Sequence, residues 1–238
     1  MPTRLRRPTV TEAEAHAEHV AGMAHQFEDI EQQQEADFLG IWLFLVTEIM
    51  FFGGLFASYA IYRWLYLPAF EGGSHILDAR IGAANTMVLL GSSLTMALSV
   101  RSAQTGNRRA LVFFLIATML LGGIFLGVKA YEYDQKFVEH VVPSLDWAPE
   151  GATLARLAPG GLGHAELFFF FYFAMTGVHA IHMIIGEGLL LWLVLRARKD
   201  QFTTQYFAPV EVVGLYWHFV DIVWIFLFPL LYLIGGRY

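Results

Sequence analysis

Long apolar runs recur five times along the chain, and short polar segments separate most of them. Each run is a continuous stretch of Leu, Phe, Ile and Val, and each is long enough to cross a hydrocarbon core, which takes roughly 20 residues of helix. Strands of a membrane barrel would instead alternate between polar and apolar residues. The pattern therefore predicts an all-α polytopic transmembrane bundle of five helices, over residues 39–62, 81–100, 110–128, 167–195 and 212–236.

The polar segments divide the chain into an arm and a membrane domain. Residues 1–37 contain eight acidic residues and three arginines, and so carry five of the six net negative charges. We expect this stretch to form an acidic cytoplasmic arm outside the membrane, with residues 38–238 as the membrane domain. The connection over residues 129–163 is the longest, and its prolines and glycines predict a loop on one membrane surface.

Composition supports an integral membrane protein and excludes several kinds of chemistry. The chain is 56% hydrophobic and 15% charged, whereas soluble domains carry about 25% charged residues. It contains no cysteine, which excludes disulfides, thiolate metal sites and covalent c-type haem attachment. No basic face is present that would indicate a nucleic-acid partner.

The distribution of lysine and arginine predicts the orientation. With the N-terminus inside, the inner segments carry nine Lys and Arg residues and the outer segments carry six. Because cytoplasmic loops carry the excess of positive charge, we predict that the N-terminus lies inside and the C-terminus outside.

Glu48 lies about ten residues into the first predicted helix, and it is the one charged residue of that run. A carboxylate at this depth costs at least a few kcal/mol, which makes it a candidate functional residue. We expect it to be protonated at neutral pH, or bonded to a side chain or water from another helix. A structural hydrogen bond between helices and a proton-related role both remain open.

The fourth and fifth predicted helices carry matching polar positions. His179 and His182 lie three residues apart on the fourth, and Glu211, His218 and Asp221 follow one face of the fifth. We expect His218 or Asp221 to hydrogen-bond to His179 or His182. A metal site with imidazole and carboxylate ligands is the alternative, whereas a bis-histidine haem is disfavoured because the pair offers one axial ligand per haem.

Small and polar residues predict helix packing. Gly123 and Gly127 form a GxxxG pattern that is typical of close helix contact. Asn85, Ser92 and Ser99 recur every seven residues and are expected to face another helix.

Several segments over residues 36–236 have the sequence of known family motifs. Residues 216–221, Tyr-Trp-His-Phe-Val-Asp, with Val-Trp at 223–224 resemble the last helix of subunit III of haem–copper oxidases. Residues 40–59 are similar to the helix of that family that carries a membrane-buried Glu, here Glu48. Three shorter segments also resemble family motifs: Ala84-Asn85-Thr86, the turn Tyr131-Glu132-Tyr133, and the H-x-x-H helix over residues 177–186. The long family form has seven helices, so this chain resembles the short five-helix bacterial form.

The resemblance implies a subunit of a proton-pumping cytochrome c oxidase complex that is itself not catalytic. It implies no catalytic, cofactor-binding or metal-binding residue in this chain, with haems and copper held by partner subunits. The implied role is to stabilise the catalytic subunit I and to support proton uptake in aerobic electron transport, in a bacterial inner (cytoplasmic) membrane. The implied partners are subunit I, the other oxidase subunits and phospholipids, with a respiratory supercomplex as a further candidate.

The resemblance also assigns residues. Arg196 and Phe202 match positions that contact lipid in the longer form, and Glu187 departs from the family pattern, so its role is open. The residues expected to form the buried polar interior are Glu48, Glu132, His179, His182, His218 and Asp221.

Three alternatives remain at this point. The same fold serves as subunit III of a quinol oxidase or as an accessory subunit of a nitric oxide reductase, because other subunits recognise the electron donor. An alternative of another class is an independent membrane metal-binding enzyme or transporter that uses the His/Asp stripe.

Overall fold

In the computed structural model, the described residues form five long apolar helices that pack into a membrane bundle, as predicted. The structure describes residue 26, residues 30–204 and residues 206–233. Most of the acidic arm and the last five residues therefore lie outside the described residues. The long helices are α1 (Ile30–Leu65), α3 (Ala79–Gln104), α4 (Arg108–Val138), α6 (Leu162–Arg198) and α7 (Ala208–Tyr232).

Most of these helices extend beyond the apolar runs that predicted them. Helix α1 begins at Ile30, so residues 30–37, which the sequence assigns to the arm, are helical and continuous with the first membrane helix. Helix α4 continues to Val138, so the predicted loop over residues 129–163 is wrong for its first ten residues. Tyr131-Glu132-Tyr133 is correspondingly helical and not a turn. The reason is that Lys129, Glu132 and Lys136 in this stretch are buried against other helices.

Helix α7 is the centre of the bundle, and α1 lies at its edge. Half of the residues in the apolar window of α7 are buried, against 17% for α1. Helix α7 packs against α3, α6 and α1, while α3 and α4 pack along each other. Trp217 and Trp224 fill the space around α7 and are fully buried.

Short elements cover one end of the bundle. They are α2 (Leu67–Ile76), an antiparallel hairpin of β1 (Val141–Val142) and β2 (Asp146–Trp147), α5 (Gly151–Leu157) and a 3-10 turn (Ala158–Gly160). The 3-10 turn meets α2 so closely that a Cβ on Gly160 would lie 2.3 Å from the Cα of Ala69. The guanidinium of Arg156 donates to the carbonyl of His75 across 3.2 Å. These elements form a packed cap, and none of them has an apolar run that predicts it from the sequence.

The GxxxG prediction is wrong, whereas the small-polar stripe is confirmed. A Cβ on Gly123 or Gly127 would meet no atom within 4 Å, but one on the preceding Gly122 would lie 2.1 Å from Oε1 of Glu187. The face of α4 that contacts its neighbours is therefore offset by one residue from the pattern. Asn85, Ser92 and Ser99 are all buried as expected.

Candidate functional site

Glu48 bonds to another helix, as expected. Its Oε2 lies 3.2 Å from Nε2 of His182, which links α1 to α6. The other ring nitrogen of His182, Nδ1, lies 2.9 Å from the carbonyl oxygen of Val178. A carbonyl oxygen only accepts, so Nδ1 carries a hydrogen and Nε2 of the neutral ring is an acceptor.

This geometry requires Glu48 and His182 to share a proton. The contact is either a carboxylic acid that donates to a neutral imidazole or a carboxylate that accepts from an imidazolium. Both side chains are mostly buried, with 19% of Glu48 and 15% of His182 exposed. The ring of Phe52 packs edge-on against His182, at 5.4 Å between ring centres, which shields one side of the pair.

The predicted bond from His218 or Asp221 to His179 or His182 is wrong. Nδ1 of His218 lies 2.8 Å from the hydroxyl of Ser93 on α3. Asp221 is 3% exposed, and neither of its oxygens has a hydrogen-bond partner among the described residues. The hydroxyl of Ser93 is also near Asp221, without a hydrogen bond of normal geometry between them.

Two tryptophans explain why this stripe faces α3 instead of α6. Trp217 and Trp224 flank Asp221 on one face of α7, and their indole N–H groups donate to Ser92 across 3.1 Å and to Thr86 across 3.0 Å. Both acceptors lie on α3. The link from α7 to α6 is made by a residue that the stripe did not include, since the hydroxyl of Tyr216 donates to the carbonyl of His182 at 2.9 Å.

His179 lies deep in the bundle among aromatic rings. Its ring centre is 5.6 Å from that of Phe125 and 5.2 Å from that of Trp224. Neither of its nitrogens has a hydrogen-bond partner among the described residues. The two histidines of the H-x-x-H pattern therefore have different surroundings, because one bonds to a carboxyl group and the other packs against rings.

Glu132 belongs to a buried cluster that joins three helices. Nζ of Lys129 donates to Glu132 at 2.9 Å, and lies 3.1 Å from the hydroxyl of Tyr172 and 3.0 Å from that of Tyr232. The hydroxyl of Tyr232 donates in turn to the other oxygen of Glu132 at 2.5 Å. The cluster connects α4 with α6 and α7. Sequence reasoning placed Lys129 in a loop, although its i, i+3 spacing to Glu132 is typical of a helical ion pair.

The other assigned residues lie away from this cluster. The guanidinium of Arg196 covers the ring of Trp192 at 4.4 Å, and Phe202 stacks on Tyr206 in the connection after α6. Lipid contact at these two residues stays a prediction. Glu187 buries Oε1 beside Gly122, and this atom has no hydrogen-bond partner among the described residues.

No group of three or more His, Asp or Glu side chains in the described part of the chain is arranged to hold a metal ion. His179 packs against rings, His182 bonds to Glu48 and His218 bonds to Ser93. The metal-site interpretation therefore has no support from the geometry of these residues.

These features define a multi-pass α-helical membrane protein whose polar interior joins helices to one another. The family model of cytochrome c oxidase subunit III matches residues 26–139 and 164–236. The unmatched stretch between them contains the hairpin, α5 and the 3-10 turn of the cap.

Relatives of known name agree with this match. Quinol oxidase subunit 3 of Bacillus spizizenii is 31% identical over 226 residues, which cover 92% of this chain and 97% of the relative. Cytochrome c oxidase subunit 3 of Corynebacterium diphtheriae is 34% identical over 198 residues, covering 82% and 87%. Cytochrome c oxidase subunit 3 of Loxodonta africana is 30% identical over 211 residues, covering 85% and 71%. The chain belongs to the cytochrome c oxidase subunit III family and is a subunit III of a haem–copper terminal oxidase.

Proposed function

We propose that this chain is the non-catalytic subunit III of a proton-pumping cytochrome c oxidase in a bacterial cytoplasmic membrane. It stabilises the catalytic subunit I and supports its proton uptake, while the partner subunits hold the haems and copper. The observation that carries this proposal is the proton-sharing Glu48–His182 pair, whose carboxyl group lies on α1, the least buried of the five long helices that the structure describes. A neighbouring subunit that packs on α1 would lie beside this pair.

The wide apolar surface of α1 supports a partner on this side. Large side chains such as Trp42, Leu43, Ile49 and Met50 are between 56% and 74% exposed. Such a surface suits lipid tails or the helices of another subunit. We further propose bound phospholipid at Arg196 and Phe202, and a respiratory supercomplex as a larger assembly.

The experiment compares the purified oxidase with and without this chain. We expect both forms to begin turnover, and the form without the chain to lose activity sooner over many cycles. Equal durability of the two forms would contradict the stabilising role. Reduced cytochrome c and a quinol, supplied separately as donors, distinguish the two oxidase classes, because the relatives include subunits of both.

Purification of the isolated chain separates the remaining alternatives. As a non-catalytic subunit it should show no haem absorbance and no stoichiometric transition metal. A bound metal in the isolated chain would favour the independent metal enzyme. Co-purification with a reductase that converts nitric oxide would favour the accessory-subunit alternative.

A further inference from the structure

A groove enters the bundle beside α7 from the membrane end that carries Glu211. It has a volume of about 340 Å³, and its apolar walls include Phe38 of α1 and both Ala97 and Val100 of α3. Two polar side chains line it, Glu211 and His218. Glu211 lies in the first turn of α7 and accepts from the amide of Gln104 across 2.8 Å. These two polar side chains mark the entrance of the groove, whereas its walls are mostly apolar.

The groove leads towards the middle of the membrane. His218 is seven residues beyond Glu211, which is about 10 Å along a helix. Asp221 follows three residues later, near the centre of α7. His218 also lines a larger apolar groove between α1 and α7, of about 430 Å³.

Asp221 is the inner end of this line of polar groups. Only 3% of it is exposed, and both carboxyl oxygens lack a hydrogen-bond partner among the described residues. Buried polar atoms are as a rule hydrogen-bonded to protein or to ordered water, and an ionised carboxylate without a partner is costly. Ser93 bonds to Nδ1 of His218, and its hydroxyl is also near the carboxyl group of Asp221, although the two do not form a hydrogen bond of normal geometry in this structure.

We propose that Asp221 is a proton-binding site that exchanges protons with one membrane surface, the one that carries Glu211, through this groove. His218 and Ser93 connect the groove to the carboxyl group. This inference goes beyond the proposed function, because it concerns proton exchange by this subunit's own residues and does not require that subunit I receives the proton.

A proton reaches Asp221 from the groove in three transfers, through His218 and Ser93. A hydronium ion in the groove gives a proton to Nε2 of neutral His218 and becomes water. The Nδ1–H bond of the ring then breaks as its proton passes to Oγ of Ser93, and the hydroxyl proton of Ser93 passes to the Asp221 carboxylate. The carboxylate becomes a carboxylic acid, and the reverse sequence returns the proton to the same surface.

The neighbouring helices contribute few charges to this site. The carboxyl and imidazole groups in the membrane part of the helices packed against α7 are Glu48 on α1 and His179, His182 and Glu187 on α6. The phenol of Tyr59 on α1 donates to the carbonyl of Leu230, and that of Tyr172 on α6 accepts from Lys129. Glu48 and His182 bond to each other, and Lys129 of α4, which reaches Tyr232 of α7, bonds to Glu132. The described membrane part of α3 offers Ser93 and no charged group beside Asp221.

The test is infrared spectroscopy of the intact oxidase complex. The C=O stretching band of protonated Asp221 is assigned as the band that Asp221→Asn removes, and its hydrogen–deuterium exchange is followed after transfer to D2O. We expect the band to grow as the pH falls and to exchange rapidly. Ala97→Leu, which fills the groove from the exposed side of α3, should slow exchange by about tenfold or more, since exchange then requires local opening.

Two further variants complete the design. Ala83→Leu makes the same change on the exposed side of α3 away from the groove lining, and its exchange rate should equal that of the wild type. His218→Phe keeps an aromatic ring but removes the connecting nitrogens, so it should also slow exchange. The proposal is overturned if Asp221→Asn removes no band at any pH, or if Ala97→Leu and His218→Phe exchange as fast as Ala83→Leu.

Discussion

Glu48 and His182 show how one residue pair can satisfy a carboxyl group inside a membrane helix. Because Nδ1 of His182 is committed to the carbonyl of Val178, the proton between Glu48 and Nε2 is shared by two acceptors. In the neutral form no charge is exposed to the apolar surroundings, and in the ionised form the two charges are 3.2 Å apart. Either form avoids an isolated buried charge, which would be far more costly.

We predict that Glu48→Gln preserves this contact and that Glu48→Ala does not. The Gln amide can donate to Nε2 of His182 as the protonated acid does, whereas Ala leaves that nitrogen without a partner. Hydrogen bonds between membrane helices contribute about 0.6 to 2 kcal/mol, so the Ala variant should lose stability in that range. Unfolding of the purified complex in denaturant measures the difference.

The same substitution tests the role of Glu48 in turnover. The oxidase with Glu48→Gln should assemble and retain most of its initial turnover, with losses appearing over many cycles. An oxidase that assembles normally but has no turnover from the first cycle would identify Glu48 as an obligatory proton carrier, contrary to this hypothesis.

Loss of the Lys129–Glu132 ion pair should cost more stability than loss of the Glu48–His182 contact. Removal of one partner of a buried ion pair leaves an uncompensated charge and costs about 3–5 kcal/mol. Lys129→Met should therefore destabilise the bundle by this amount, and Lys129→Met combined with Glu132→Gln should restore most of the loss. A double-mutant cycle on the free energy of unfolding measures the coupling, and strictly additive effects would contradict it.

At the scale of elements, the rotation of α4 about its own axis decides which glycine matters. Gly122 faces Glu187 and Trp217, whose ring carbon Cη2 would lie 2.7 Å from an added Cβ. Gly123 and Gly127 face outwards on the same helix. The GxxxG spacing is therefore present without a contact inside the subunit, because a spacing of four residues does not specify the face that packs.

The neighbouring glycines of α4 provide a matched pair of variants. Gly122→Ala should destabilise the chain by about 1–3 kcal/mol, since the methyl group overpacks a filled site. Gly123→Ala should be neutral or stabilising by up to about 1 kcal/mol, because alanine favours helix over glycine. Thermal unfolding of both variants compares them, and the opposite order would show that α4 is rotated relative to this structure.

At the scale of the whole molecule, α7 is enclosed by three helices while α1 and the outer face of α4 remain open. The cap of α2, the hairpin and α5 covers one end, and Glu211 and Gln104 lie at the other. The two ends therefore differ in shape. Because the two ends can be told apart, labelling a position at each end measures the orientation of the chain in the membrane.

We predict that the cap lies outside and that the connection between α3 and α4 lies inside, as the distribution of Lys and Arg indicates. The chain has no cysteine, so a single introduced thiol reports one position. In intact cells, an impermeant maleimide should label Glu150→Cys in the cap and should not label Thr105→Cys at the end of α3. The reverse pattern would invert the topology.

The sequence alone was sufficient to predict the helices and the family. Five apolar runs predict five spans because a helix in lipid must satisfy its backbone internally and present apolar side chains along its whole length. A bond from Glu48 to another helix was also predictable, because an unpaired carboxylate inside an apolar membrane helix is costly. The segments around Glu48, His182 and Asp221 were specific enough to indicate subunit III.

Which polar groups contact one another could not be predicted from the sequence, because it depends on how the helices pack. The stripe of His218 and Asp221 predicted a partner on α6, but the indole groups of Trp217 and Trp224 bond to α3 and turn the stripe towards Ser93. Lys129 appeared to end a helix, yet aromatic hydroxyl groups from α6 and α7 bury it. Periodicity in one helix determines which residues share a face, whereas the partner of that face depends on how every helix is rotated, and that follows from the packing of the whole bundle.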